Sequence, residues 1–312
     1  MTLALMALVG GVALLGFAAD QFVLGAARIA LIARISPLVV GVVIVGFGTS
    51  APEMLVSALA AAGDEPAVAV GNIVGSNIAN LTLLLGVGAI LVPLTVDSRT
   101  VRREGPLTVV AMGAFAIAVQ GGGVSWPEGL GLFVLMAATL SIVMRRSPND
   151  TLAADVAEFA DVPAHGLRQE VLRTVLGLVG TVGGAQLLLW GALDLADRAG
   201  LEEGFVGATM VAVGTSLPEL VTVIQSARRN EADLIVGNLL GSNLFNALAV
   251  GGLIGVIGTD GLDSVALSTF GSLAALGAAA LAVVAMGTGH VVTRREGIAL
   301  VVGYGALVPF LA

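Results

Sequence analysis

The sequence predicts an all-α integral membrane protein of ten transmembrane helices, arranged as two inverted-topology five-helix repeats. Three observations carry this reading: an apolar composition, ten apolar windows separated by polar clusters, and an internal repeat at a fixed offset. The chain has 312 residues, 57% of them hydrophobic and 12% charged, against about 45–50% and about 25% in a soluble domain. At about 20 residues per spanning helix, ten spans use roughly 200 residues and leave no room for a sizeable soluble domain. No cysteine is present, which excludes disulfide scaffolds, thiolate metal sites and cysteine nucleophiles. The net charge of -8 is the opposite of a nucleic-acid binder's.

The windows fall at 2–27, 36–62, 67–93, 105–123, 127–144, 169–195, 204–227, 234–258, 264–287 and 295–311. The first lacks a basic leading region and is followed by many similar stretches, so it reads as a mature span and not a signal peptide. One longer polar stretch divides the chain into a first unit (1–146), a linker (147–168) and a second unit (169–312). The acidic residues of the linker match no EF-hand pattern. Every basic residue is Arg, and all except Arg198 fall in or beside the loops that follow odd-numbered spans. Cytoplasmic loops carry the positive excess. The expectation is therefore a multi-pass protein of the cell (plasma or inner) membrane, with a cytoplasmic linker and both termini outside.

The repeat holds most of the polar chemistry. Gly46-Phe-Gly-Thr49-Ser50-Ala-Pro52-Glu53 matches Ala212-Val-Gly-Thr215-Ser216-Leu-Pro218-Glu219 at an offset of 166 residues. Gly71-Asn72-Ile-Val-Gly75-Ser76-Asn77-Ile-Ala-Asn80 matches Gly237-Asn238-Leu-Leu-Gly241-Ser242-Asn243-Leu-Phe-Asn246 at the same offset. Segments 41–86 and 207–252 thus form the two copies of one motif. Five spans is an odd number, so the second copy must enter the membrane from the opposite side. Secondary transporters commonly have this plan, with the substrate at the repeat interface.

Glu53 and Glu219 lie deep in their windows, where an ionisable side chain is costly and reads as functional. Pro52 and Pro218 lack the N–H that would close the preceding helical turn, which frees backbone oxygens beside each carboxylate. Thr49, Ser50, Thr215 and Ser216 add hydroxyls. Asn72, Ser76 and Asn80 are spaced by four, as are Asn238, Ser242 and Asn246, and each set makes a polar stripe on one helix face. Ser76, Ser242, Asn80 and Asn246 are the better candidates to line a site, whereas Asn72 and Asn238 also serve as helix-packing glue. Oxygen ligands without sulfur or imidazole suit a hard cation such as Ca2+. A hydrolase built on Ser50 or Ser216 lacks a base, because His165 and His290 fall in loops and no Lys exists. Trp126 and Trp190 are expected at membrane interfaces. Asp20 reads as either a cation-path or a helix-packing residue.

These paired GTS-x-PE and GN-x-x-GSN-x-x-N motifs resemble the two alpha-repeats of the sodium/calcium exchanger family, in the cation/calcium antiporter superfamily and its compact prokaryotic form. The resemblance covers essentially the whole chain. It implies an antiporter that exchanges Na+ for Ca2+ by alternating access in the lipid bilayer, with ions bound at the midplane and no cofactor, enzymatic activity or obligate protein partner. It implies Glu53 and Glu219 as principal ligands, with hydroxyls from Thr49, Ser50, Ser76, Thr215, Ser216 and Ser242. Backbone oxygens of Gly46 and Ala212, with Asn80 and Asn246, complete the implied set. Some family members carry Asp where this chain has Asn246, which leaves two formal charges here and disfavours K+ co-transport. Proton/calcium exchangers read GN-x-x-E at the repeat, which favours Na+ over H+. Exchange of H+ for Ca2+ or another divalent cation stands as the alternative, ahead of a passive cation channel.

Overall fold

The protein was analysed as a computed structural model, which describes residues 1–32, 50–96, 98–146, 166–230, 232–258, 262, 264, 266–287 and 289–311. In chain order the described helices are α1 (Thr2–Ile32), α2 (Ala51–Ala62), α3 (Pro66–Leu91), α4 (Ser98–Ala118), α5 (Trp126–Arg146) and α6 (Leu167–Ala199). They continue with α7 (Glu203–Thr215), α8 (Leu217–Arg229), α9 (Ala232–Ile257), α10 (Ser272–Gly287) and α11 (Arg294–Leu307). Seven of the ten expected windows coincide with helices long and apolar enough to cross a membrane.

The other three windows differ in detail. The window 204–227 is a bent pair, with α7 and α8 meeting at 44° around Ser216. In the window 36–62, residues 33–49 lie outside the described residues and α2 covers only the end. The last window holds α11, of 14 residues, continued by a 3-10 turn over Val308–Leu311. Most of the expected linker, with His165, also lies outside the described residues. A two-residue antiparallel ladder pairs Leu94 with Val292 and Thr95 with Val291, where sequence patterning shows only loop.

The surface is apolar where a soluble protein's would be charged. Phe17, Ile117, Val134 and Leu281 are each more than half exposed, as lipid-facing side chains are. Trp126 and Trp190 are exposed too. Polar residues go inward instead: Glu53, Asn72, Ser76, Asn77, Asn80, Thr215, Ser216, Glu219, Asn243 and Asn246 are all buried. In hydrocarbon this segregation is the only affordable one, because an unpaired polar group has no water to turn to.

Local structure repeats at the 166-residue offset. Asn80–Leu84 and Asn246–Val250 are both π-helical, within α3 and α9 respectively. Asp64 and Asn230 both adopt a left-handed conformation, with φ of 60°, where α2 and α8 end. Pairing between the halves follows the same rule in α1 and α6. A Cβ added to Gly11 would meet Leu188, and one added to Gly177 would meet Phe22. These two contacts are the same contact under the offset. Contact therefore moves down α6 as it moves up α1, so the two helices run antiparallel with their backbones nearly touching.

Ionic groups lock the end of this crossing. Arg28, 3% exposed, pairs with the fully buried Glu170 at 3.2 Å, and Arg173 reaches the other Glu170 oxygen at 3.6 Å. Patterning places Arg28 in a loop, but α1 continues past it to Ile32. Removing one partner of such a pair costs about 3–5 kcal/mol, since a buried charge is left behind.

Two predictions follow from this packing. A Cβ on Gly75 would clash with the Ala208 carbonyl oxygen, so Gly75→Ala lowers stability by about 1–3 kcal/mol, read as a lower Tm of the detergent-solubilised protein. In the turn before α3, burial and the neighbouring Glu203 raise the Glu65 carboxyl to about 7. A raised carboxyl stabilises the fold fully only below its ordinary value near 4.5, and that contribution is lost as pH rises through 7. Glu65→Gln therefore raises Tm at pH 8, by about 1–3 °C for a partly exposed group, and leaves it unchanged at pH 4.5.

Candidate cation site

The first turns of α2 and α8 build the site. Ser50 and Ser216 stand just before α2 and α8 with near-identical backbone angles (φ -93°, ψ 8° and φ -84°, ψ 7°), and a proline follows two residues later in each. A proline in the first helical turn costs no hydrogen bond there but prevents a continuous helix behind it. Glu53 and Glu219 are the third residues of α2 and α8, at the positive ends of the helix dipoles. Their exposures are 0% and 1%.

The hydrogen bonds around them are incomplete. Ser216 Oγ donates to Glu53 Oε1 at 3.2 Å. Glu53 Oε2, both carboxylate oxygens of Glu219 and Ser50 Oγ are buried without a hydrogen-bond partner. The Ala212 carbonyl, by contrast, is crowded with donors. It accepts from Ser216 N–H at 3.0 Å, Thr215 Oγ1 at 3.1 Å and Ser76 Oγ at 3.4 Å. Thr215 Oγ1 has a second acceptor, Asn72 Oδ1, at 3.1 Å, and each hydroxyl keeps its lone pairs for another partner.

A set of amides closes the site from α3 and α9. Asn80 and Asn246 each open a π segment, a local widening found mostly at functional positions. Asn80 Nδ2 donates to Asn243 Oδ1 at 2.9 Å, and Asn243 Nδ2 donates to the Asn77 carbonyl at 3.0 Å. Asn80 Oδ1 and both amide atoms of Asn246 are buried and unpartnered. The bridge from Asn80 to Asn243 joins the two halves of the chain.

Of the expected site residues, the structure gathers Ser50, Glu53, Ser76, Asn80, Ala212, Thr215, Ser216, Glu219, Ser242 and Asn246 on these interlocking elements. Gly46 and Thr49 lie outside the described residues. Asn72 donates to the Glu53 carbonyl and to Ser57 Oγ, which is packing glue. Asp20 is exposed and hydrogen-bonded to its neighbour Gln21, away from the site. Asn77 and Asn243 are not singled out by the spacing-of-four stripe. The repeated Ser-Asn doublet is the signal that marks them, since an asparagine costs as much to bury as the serine before it.

Two carboxylates with hydroxyl, amide and carbonyl oxygens make an oxygen-only set suited to hard cations. Among the described residues no group of three or more His, Asp or Glu side chains exists to hold a metal by charge alone.

Comparison with known proteins agrees with this chemistry. A family model described as "Sodium/calcium exchanger protein" matches residues 3–145 and 170–312. CaxA of Alkalimonas amylolytica is 36% identical over 301 residues, 94% of each chain. The sodium/calcium exchanger MaX1 of Methanosarcina acetivorans is 26% identical, covering 94% of this chain and 93% of that one. A solved structure of the sodium-calcium exchanger NCX_Mj, soaked with Na+ and Sr2+, superimposes with a TM-score of 0.68 at 26% identity, covering 99% of this chain and 98% of that one. With the family matched over both halves and its transporter fold reproduced, this chain belongs to the sodium/calcium exchanger family, a family of multi-pass membrane antiporters.

Proposed function

We propose that this protein exchanges Na+ for Ca2+ by alternating access, with the ions held between Glu53 and Glu219 near the membrane midplane. The observation that carries the reading is the set of unpartnered buried oxygens: Glu53 Oε2, both Glu219 oxygens, Ser50 Oγ, Asn80 Oδ1 and Asn246 Oδ1. Burying so many acceptors without donors is expensive, and a bound cation satisfies them together. Ser76, Thr215, Ser216 and Ser242 add hydroxyl lone pairs, and Gly46, Thr49 and Ala212 complete the proposed set.

Coupling then needs no separate device. Ca2+ and Na+ draw on the same two carboxylates, so one cation species leaves before the other is held. Na+ as the counter-ion is supported by the name of MaX1 and the Na+-soaked NCX_Mj structure. The antiparallel, offset-related packing of α1 on α6 supports an inverted repeat, with units 1–146 and 169–312 joined by a cytoplasmic linker and both termini outside. We assign α1 and α6 as the pair that slides to expose the site to one side or the other. Their crossing is smooth where glycines meet backbone.

Radiolabelled Ca2+ uptake into Na+-loaded proteoliposomes, diluted into Na+-free buffer, tests the reading beside a pH-gradient control. Uptake is expected with the Na+ gradient, and Glu219→Gln is expected to reduce it at least about tenfold, because ligand charge sets cation affinity. Uptake driven only by the pH gradient would move the protein to proton exchange, and gradient-independent flux would make it a channel. Asn246→Asp adds a third carboxylate and is expected to lower the KM for Ca2+ in the same assay.

A further inference from the structure

Among the described residues, several hydrogen bonds of the site are made on one side of the repeat and missing on the other. Each residue of the first motif has a counterpart 166 positions later, so each bond has a counterpart as well. Ser216 Oγ donates to Glu53; the counterpart would run from Ser50 Oγ to Glu219, and all three oxygens concerned are unpartnered. Asn72 Nδ2 donates to the Glu53 carbonyl; the counterpart donor, Asn238 Nδ2, is unpartnered. Asn80 donates to the Asn243 side chain, and Asn243 donates to the Asn77 carbonyl. The counterparts would run from Asn246 to the Asn77 side chain and from Asn77 to the Asn243 carbonyl. Both amide atoms of Asn246 and both of Asn77 are buried and unpartnered.

Chemistry does not explain the one-sidedness of the Ser–Glu and Asn–Asn bonds, because the residues at those paired positions are identical; only Asn72 has a further partner, Ser57, that the offset replaces with Val223. Conformation must explain it. The same side chains can form either set: Ser50 Oγ, one Glu219 oxygen, Asn238 Nδ2, Asn246 Nδ2 and both amide atoms of Asn77, left over here, are those satisfied in the other. Two arrangements related in this way are close in energy, which is what a two-state element requires.

We propose that Asn243 and Asn77 are positioning residues that take turns: Asn243 holds Asn80 in the state seen here, and Asn77 holds Asn246 in the oppositely facing state. The proposal rests on the exchange reading above. Its chemical effect is on amide orientation. With Nδ2 of Asn80 committed to Asn243, the Asn80 carbonyl oxygen is the atom left to face a cation. Without that acceptor the amide is free to rotate, and its N–H groups repel the ion. Asn246 stands in the same relation to Asn77 after the switch.

The two roles predict opposite effects. In proteoliposomes of sorted orientation, the KM for Ca2+ is measured at each membrane face under a Na+ gradient, and the ratio of the two values is compared. Asn243→Ala weakens the state seen here, and Asn77→Ala weakens the other. The two variants are expected to shift the ratio in opposite directions, each by about fivefold, the factor for one lost hydrogen bond. The double variant is expected to return the ratio toward the original value with both KM values raised. A merely structural role lowers transport at both faces alike and leaves the ratio unmoved. Asn243→Ser and Asn77→Ser, which keep a small polar side chain, serve where an alanine variant fails to fold. Na+-driven uptake in the unmutated protein with ratios that stay fixed, or that shift the same way in both variants, overturns the proposal alone. Absence of Na+-driven uptake in the unmutated protein overturns the exchange reading and this proposal with it.

Discussion

A carboxylate surrounded by hydrocarbon has to be answered from within the protein, by donors or by a cation, and the structure is organised around two such carboxylates. Each stands in the first turn of a helix that begins just after a serine and carries a proline in that turn, and at Ser216 the preceding helix α7 is interrupted by a 44° bend. The interruption turns backbone and hydroxyl groups toward the carboxylate instead of along a helix axis. Non-helical backbone is tolerated at that depth only when it lines a protected interior. Burial of Glu53 and Glu219, the bend at Ser216 and the inward-facing amides are therefore consequences of one requirement.

Packing around the site is divided between two kinds of contact. Near the centre, α3 carries small residues at Gly71 and Gly75 that allow the backbones of Gly204 and Ala208 to approach closely. Such contacts depend on shape, since lipid gives helices no hydrophobic reason to associate. Away from the centre, α1 and α6 cross as an antiparallel pair with glycines against backbone, and the Arg28–Glu170 ion pair ties them at one end. A pair held together by its own contacts, with few polar links to the site, is suited to moving as a unit.

The π segments connect fold to chemistry. Each begins at the asparagine that completes the site, Asn80 or Asn246. An extra residue in a turn widens the helix and breaks the regular register of side chains along it. Just before these segments, Asn243 joins the amide network, with Asn80 as donor and the Asn77 carbonyl as acceptor, although a spacing-of-four stripe passes Asn77 and Asn243 by.

Much of this was legible in the residues themselves. Apolar windows predict most of the spanning helices because, in lipid, length and hydropathy are nearly the whole requirement. The repeated motifs point to the gathered site residues because a polar side chain is rarely placed in such a window without a use. Other features depend on contacts between distant segments. Arg28 reads as a loop residue until Glu170, far along the chain, supplies the partner that lets it be buried. The strand pair at Leu94 and Val292 has no periodicity to announce it, since two residues are too few to alternate. Above all, the residues themselves show which groups the two halves share, because the motif recurs at a fixed offset. Which of two equivalent hydrogen bonds is made, Ser216 to Glu53 or Ser50 to Glu219, depends on packing, because identical side chains cannot favour one of two related arrangements until the helices that carry them have taken up one packing.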